Sequence, residues 1–214
     1  MARKEIGMNG WTAEQLKHAL QEVAQAMVDA KDMLNDKDRE LGDGDHGTTI
    51  ARGFSAVKEA LVNQSFASIQ DVFKTTGMAL MRSMGGASGV LFGTFFMAGS
   101  KVAGQTFDAH YFCDWLKTGM DDLAKRGGAK PGDKTMIDAL VPALAQAKKM
   151  LEQDGVLAAA LAEAAKGAQS GVEATKSMVA KKGRAHTLGD QTLGHEDAGA
   201  VSVALILQTL AHIS

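Results

Sequence analysis

The sequence is poor in the residues that would announce a cross-linked, sheet-rich or membrane-bound protein. Its one cysteine, Cys113, excludes an internal disulfide framework and any multi-thiolate zinc or iron–sulfur site. The two prolines, Pro131 and Pro142, leave long stretches without a helix breaker. Aromatic residues make up 5% of the chain, and β-branched residues are thin, so strands lack the side chains they favour. Neither sign of charge dominates: 23 basic and 25 acidic residues leave a formal net charge of −2 and no global attraction for nucleic acid or an anionic membrane. No apolar run approaches the roughly 18 residues of a membrane span. The first ten residues, MARKEIGMNG, have no apolar core behind their basic residues and do not read as a secretory signal. These absences predict a protein of a reducing, cytoplasmic compartment with no nucleic-acid or membrane partner.

What is present favours helix. The 214 residues are 45% hydrophobic, enough for one compact domain over 1–214, and include 35 alanines and 12 methionines. Thr12 and Gln15 form a capping box ahead of Leu16, Leu20, Val23, Met27 and Leu34 at helical spacing. Ile50, Phe54, Val57 and Leu61 mark a second helix. Ser68 and Asp71 open a third, carrying Ile69, Val72, Phe73, Thr76 and Leu80. An apolar segment from Val90 to about Val102 follows, and Asp108 caps a helix with Phe112, Trp115, Leu116 and Leu123. Further helices are expected from about Thr135 to Glu152, from Val156 to Lys182 and from Val201 to Ile213. The pattern predicts an all-α, single-domain antiparallel bundle of about eight helices.

The 24 glycines run against this composition, and many fall in four loops, 36–47, 85–89, 126–134 and 183–199. In an up-and-down helical arrangement alternate connections lie at the same end. These loops follow the first, third, fifth and seventh helices, so they are expected to converge on one site.

The first loop, DRELGDGDHG, places Asp43 and Asp45 around Gly44, with Asp38 upstream. Carboxylates crowded on a glycine-rich loop repel one another unless a cation neutralises them. Oxygen donors without thiols favour Mg²⁺ or Ca²⁺ over zinc, and the spacing is not that of an EF-hand. Because Mg²⁺ usually binds few carboxylates together with substrate phosphates, a metal–nucleotide complex is the natural inference. A solvated acidic turn capping the next helix is the competing reading. Residues 42–47 also spell G-x-G-x-x-G, but a helix rather than a strand precedes them, which excludes a dinucleotide fold.

The second loop, SMGGASG, precedes a helix whose backbone N–H groups could hold a phosphate, with Ser83 and Ser88 adding hydroxyls; close helix packing through small residues explains it equally well. The third, from Gly127 to Thr135, imitates a phosphate-binding P-loop, but Asp133 breaks the spacing. Lys130 and Lys134 there remain usable cations, although most lysines in such loops are simply solvated. The fourth combines Arg184, His186, His195, acids and four glycines, as suits a mobile lid over phosphate or a plain surface loop. Cys113, beside Phe112 and Trp115, reads as core.

The runs DRELGDGDHG, GGASGVLFGTFF, KPGDKTMIDALVP and GRAHTLGDQTLGHEDAGA, in that order and in those four loops, resemble the nucleotide-binding L-subunit family of the dihydroxyacetone kinases. The resemblance spans residues 38–200. It implies an eight-helix antiparallel barrel that binds ADP or ATP at one end through two Mg²⁺ ions. The metal ligands carry over to Asp38, Asp43 and Asp45. Nucleotide contacts carry over to His46, Gly47, Thr48 and Thr49, to Ser83, Gly85, Gly86 and Ser88, and to Gly127 and Met136. Arg184, as both nucleotide contact and catalytic residue, and Asp197, Ala198 and Gly199 complete them. Thr49, Arg82 and Ala198 depart from residues found in some relatives, near the phosphate loop and the lid rather than the aspartates.

The family further implies a separate K subunit that holds dihydroxyacetone, so this chain would act as a phosphotransferase only with that partner. A phosphotransferase-system protein as phosphoryl donor, exchange of free ATP, and a homodimer are all compatible with the motifs. The related readings are a tetrulose kinase, a fatty-acid kinase, whose helical domain normally heads a longer polypeptide, and a nucleotide-occupied adaptor for a transcription regulator.

Overall fold

A computed structural model describes residues 10–153 and 155–214; the N-terminal run read above for a leader lies outside them, apart from Gly10. Among the described residues there is no β-strand, and the chain forms nine α-helices and one 3-10 helix. These are α1 (Ala13–Asp29), α2 (Lys31–Arg39), α3 (His46–Val62), α4 (Ile69–Ser83), α5 (Gly86–Gly99), α6 (Ala109–Gly127), α7 (Met136–Gln153), α8 (Leu157–Thr175), the 3-10 helix (Arg184–Thr192) and α9 (Ala198–Ile213). The all-helical single domain is as expected. The helix count differs because Ala30, at φ −78° and ψ 2°, divides the first helix into α1 and α2.

The remaining shifts have local causes. The start of α1 carries the full capping box: Thr12 N–H donates to Gln15 Oε1 at 2.9 Å and Gln15 N–H to Thr12 Oγ1 at 3.3 Å. Ser68 caps α4 by accepting from Asp71 N–H at 3.1 Å, and its hydroxyl donates to the Asp71 carboxylate at 2.8 Å. This is half a capping box. Helix α5 begins at Gly86, four residues before the apolar run. Helix α8 stops at Thr175 rather than Lys182, because the amides of Lys176, Ser177 and Met178 turn back to carbonyls three residues earlier.

Each long helix packs on the next, and α9 returns against α1, so α1 and α3 to α9 close a ring while α2 lies on α3. Short connections make ring neighbours antiparallel. The core inside the ring is aromatic around Trp115, whose ring lies 4.8–6.2 Å from those of Phe73, Phe95, Phe96, Phe107 and Phe112. Its indole N–H donates to Phe95 O at 2.9 Å, so the one polar atom of this side chain is satisfied. Burying each such aromatic side chain contributes about 2–3 kcal/mol. On the other flank alanine and glycine let helices approach closely: a Cβ on Gly167 would stand 2.5 Å from Pro142 O. The far end is tied by a bridge between Trp11 and Phe107, whose rings stack at 5.6 Å. The four glycine-rich loops are left together at the other end.

Candidate functional site at the loop end of the barrel

The aspartate loop hangs from the last turn of α2. Gly42 N–H donates to Asp38 O at 2.6 Å, which folds the chain back over Asp38. The Asp38 carboxylate then accepts the N–H groups of Asp45 at 3.1 Å and His46 at 3.3 Å, at the positive start of α3. Gly44, at φ +74°, supplies the left-handed step that brings Asp43 and Asp45 to the same side. One carboxylate oxygen from each of Asp38, Asp43 and Asp45 lies within 4.8 Å of the others. Three carboxylates in this arrangement, with neither thiol nor imidazole among them, suit a hard divalent cation. Asp43 and Asp45 are exposed and open to solvent, leaving room for water or phosphate ligands.

All four loops meet at this point around a cleft of about 590 Å³. Asp38, Asp43, Asp45, His46 and Thr49 form one wall, and Gly85, Gly86, Ala87 and Ser88 form the next. Met136, Arg184, Asp197, Ala198 and Gly199 line it as well. Gly85 and Gly86 have φ of +72° and +58°, so the turn into α5 presents backbone rather than side chains to the cleft. The segment 183–199 leans on the aspartate loop through an ion pair of Arg184 with Asp43. His195 Nδ1 also meets Glu40 Oε2 at 2.5 Å, and Lys37 meets Glu196 at 2.9 Å. The Arg184 pair is exposed, and such pairs are weak and readily exchanged.

Four residues expected at the nucleotide do not line the cleft. Gly47 is packed inside, where a Cβ would collide with Lys31 O and stand 2.8 Å from Asn35 N. Thr48 is clamped by Asn35, which accepts its N–H at 2.9 Å and donates to its hydroxyl at 3.1 Å. The Ser83 hydroxyl is spent on Ala79 O at 2.6 Å within its own helix. Gly127 is the last residue of α6, and a Cβ there would touch Leu91, which does line the cleft.

Among the cleft residues His46, Lys134 and Asp197 have displaced proton affinities. His46 is half-buried, against Phe92, with Nε2 2.8 Å from Ser202 Oγ; burial pushes its pKa down and favours the neutral ring. Asp197 caps α9 by accepting Ala200 N–H at 2.7 Å. Enclosure by protein raises its carboxyl to about 7, with Asp138 adding to the rise and Lys134 opposing it.

Sequence reasoning missed several lining residues. Arg52 donates from Nε to Ser83 O at 2.8 Å and from Nη2 to Met84 O, bracing the turn before Gly85. A signal existed: Asp45, Thr49 and Arg52 are spaced by four and three, which puts them on one face of α3. Leu91 and Phe92 line the cleft from α5 and looked like ordinary core. Lys134 is a correction. Expected as a usable cation in a mostly solvated loop, it is 2% exposed, because its ammonium is enclosed by backbone carbonyls.

The fold and site together define a helical barrel that carries its polar chemistry in the loops of one end. The chain belongs to the DAK2 domain family, whose model matches residues 40–212. It is 42% identical over 180 residues to the ADP-binding subunit of the PEP-dependent dihydroxyacetone kinase of Escherichia coli, covering 83% of this chain and 86% of that one. It is 35% identical over 203 residues to a D-erythrulose kinase of Mycolicibacterium smegmatis, covering 93% of this chain and 35% of that protein. The crystal structure of the dihydroxyacetone kinase of C. freundii in complex with AMP-PNP and Mg²⁺ superposes with a TM-score of 0.74 at 28% identity. That match takes in all of this chain and 36% of that one.

Proposed function

We propose that this chain is the nucleotide-binding subunit of a dihydroxyacetone kinase. The observation that carries the reading is the meeting of the aspartate triad, the Gly85–Gly86 turn and Arg184 around one cleft. Its support from outside the chain is the similarity to subunits named as ADP-binding and to a kinase solved with AMP-PNP and Mg²⁺.

Asp38, Asp43 and Asp45 would hold Mg²⁺, two ions in the fullest version of the site, which when bound neutralises phosphate oxygens and orients them. The amides around Gly85, Gly86 and Ser88 would bind the phosphates, and Arg184, once released from Asp43, would stabilise the charge that develops on the transferred group. Thr49, Met136 and the segment Asp197, Ala198 and Gly199, which line the cleft, would enclose the nucleotide. Gly47, Thr48, Ser83 and Gly127 act indirectly, by shaping these walls.

A hydroxyl oxygen of dihydroxyacetone, presented by a separate K subunit, attacks the terminal phosphorus of ATP. The bond to the bridging oxygen breaks, giving ADP and dihydroxyacetone phosphate. His46 and Asp197 are both engaged within the fold, so the hydroxyl proton is assigned to the sugar-holding partner. A cytoplasmic protein that keeps ADP bound, to be rephosphorylated by a phosphotransferase-system protein, is the corresponding cellular reading. The D-erythrulose kinase relative supports a four-carbon ketose as the second choice of substrate.

The test is the nucleotide content of the purified chain, with and without chelator, by denaturing extraction and chromatography. Near-stoichiometric ADP that survives dialysis and leaves with chelator supports a metal-locked cofactor and a protein phosphoryl donor. Reversible, Mg²⁺-dependent ATP binding supports an exchanging substrate. No nucleotide under either condition overturns the reading.

A further inference from the structure

Lys134 lies within the motif run KPGDKTMIDALVP but is given no role by the resemblance, and its surroundings are tightly constrained. It is 2% exposed, in a loop whose neighbours Lys130 and Pro131 are open to solvent. Among the described residues it is the only non-glycine with positive φ, at +60°. A side chain held in the left-handed region costs about 1–3 kcal/mol and persists only where its surroundings fix it. Here three carbonyls do so. The ammonium donates to Thr175 O at 2.7 Å, Thr192 O at 2.7 Å and His195 O at 2.5 Å. Its three N–H bonds are therefore all used. Burial lowers its proton affinity and Asp197 restores part of it, as expected for a cation retained inside the fold.

The identity of these carbonyls gives the arrangement its meaning. Thr175 is the last residue of α8, where segment 176–196 leaves the barrel. Thr192 ends the 3-10 helix and His195 lies two residues before the cap of α9, where the segment returns. One ammonium thus ties both feet of the segment that carries Arg184. Further bonds from backbone amides reinforce the tie: Gly194 N–H donates to Lys176 O at 2.7 Å, Lys181 N–H to Asp133 O at 3.0 Å, and Asp197 N–H to the Thr175 hydroxyl at 3.0 Å.

We propose that Lys134 is the positioning residue of the lid, an internal cation that joins its two feet and so sets where Arg184 and the Asp197–Gly199 turn stand relative to the aspartate loop. It acts through these groups, its ammonium being fully engaged by the three carbonyls. As a device of nucleotide binding it rests on the function proposed above; as a pin of the lid it is independent of it.

The experiment compares the full chain with Lys134→Met, Lys134→Arg, Arg184→Ala and the Lys134→Met/Arg184→Ala double variant, by amide hydrogen exchange without ligand and by calorimetric titration with Mg²⁺ and ADP. Lys134→Met is expected to speed exchange across 176–197 while α1 to α7 keep their protection, and to raise the Kd for ADP on the order of 10-fold, since charge-assisted bonds to three acceptors are lost. Adding Arg184→Ala should then raise Kd by less than about twofold, because an unpinned lid no longer delivers that arginine. Lys134→Arg, which keeps the charge but not the three-way geometry, should fall between. Unchanged lid exchange and ADP affinity in Lys134→Met, with only a lower Tm, would overturn the proposal. So would additive effects of the two substitutions. If Lys134→Met does not fold, Lys134→Arg decides: exchange and Kd equal to the parent protein's reject the pin, and faster exchange confined to the lid supports it. A parent chain that binds no ADP would defeat the functional reading, while the exchange arms would still test the pin.

Discussion

His46 Nε2 lies 2.8 Å from Ser202 Oγ, joining residues 156 positions apart. The contact ties the first turn of α3 to α9, the two helices whose N-termini carry the aspartate loop and the lid foot. Floor and walls of the cleft are thereby one assembly, and substitutions in the loops can be read against a fixed base.

Asp38 and Asp43 should not respond alike. Asp43→Ala removes a proposed metal ligand from an exposed position. Asp38→Ala also leaves the amides of Asp45 and His46 without their acceptor. Both variants should lose Mg²⁺-dependent ADP binding while keeping helical circular dichroism. Only Asp38→Ala should also lower stability without metal, by about 1–2 kcal/mol, the cost of a lost charged helix cap. Equal urea midpoints for the two variants would contradict this.

Arg52→Ala should weaken ADP binding about 10-fold through the loss of two charge-assisted bonds that brace the Gly85 turn. Because the side chain is exposed, global stability should move by less than about 1 kcal/mol. Calorimetry and a thermal melt on one preparation separate the two effects.

Asp197 gives a pH dependence with a definite sign. Its carboxyl titrates near 7 in the folded protein against an ordinary value of 3.8. Between these limits the folded chain holds a proton that the unfolded chain has released, so this group's contribution falls as pH rises through that window. Asn at this position can still accept the Ala200 N–H and bears no charge. Asp197→Asn should match the parent protein near pH 4 and exceed it at pH 8 by about 1–3 kcal/mol, discounted for the contact this residue keeps with the cleft. Denaturant melts of both proteins across pH 4–8 test the difference.

Gly47→Ala should be severe although the side chain gained is one methyl group. Its Cβ would meet Lys31 O and Asn35 N on α2, and neither backbone atom can move without shifting that helix. A loss of about 2–4 kcal/mol, or failure to fold, is expected. A normal melt with impaired ADP binding would instead mean that this glycine faces the nucleotide.

Much of this protein was determined by the sequence itself. Periodicity, caps at Thr12, Ser68 and Asp108, and the scarcity of strand formers established an all-helical chain, since these are local properties of backbone and side chain. Alternation of connections placed four loops at one end, and the close spacing of Asp38, Asp43 and Asp45 marked the acidic cluster. Tertiary structure decided what the pattern of residue types does not reach: that Ala30 divides the first helix, that α8 ends at Thr175, and that Gly47, Thr48, Ser83 and Gly127 lie outside the lining of the cleft. It decided Lys134 above all. A lysine in a Gly–Pro–Gly loop looks solvated until the chain, 41 to 61 residues further on, brings three carbonyls to its ammonium. Burial and partner depend on contacts between distant segments, and those exist only once the ring has closed.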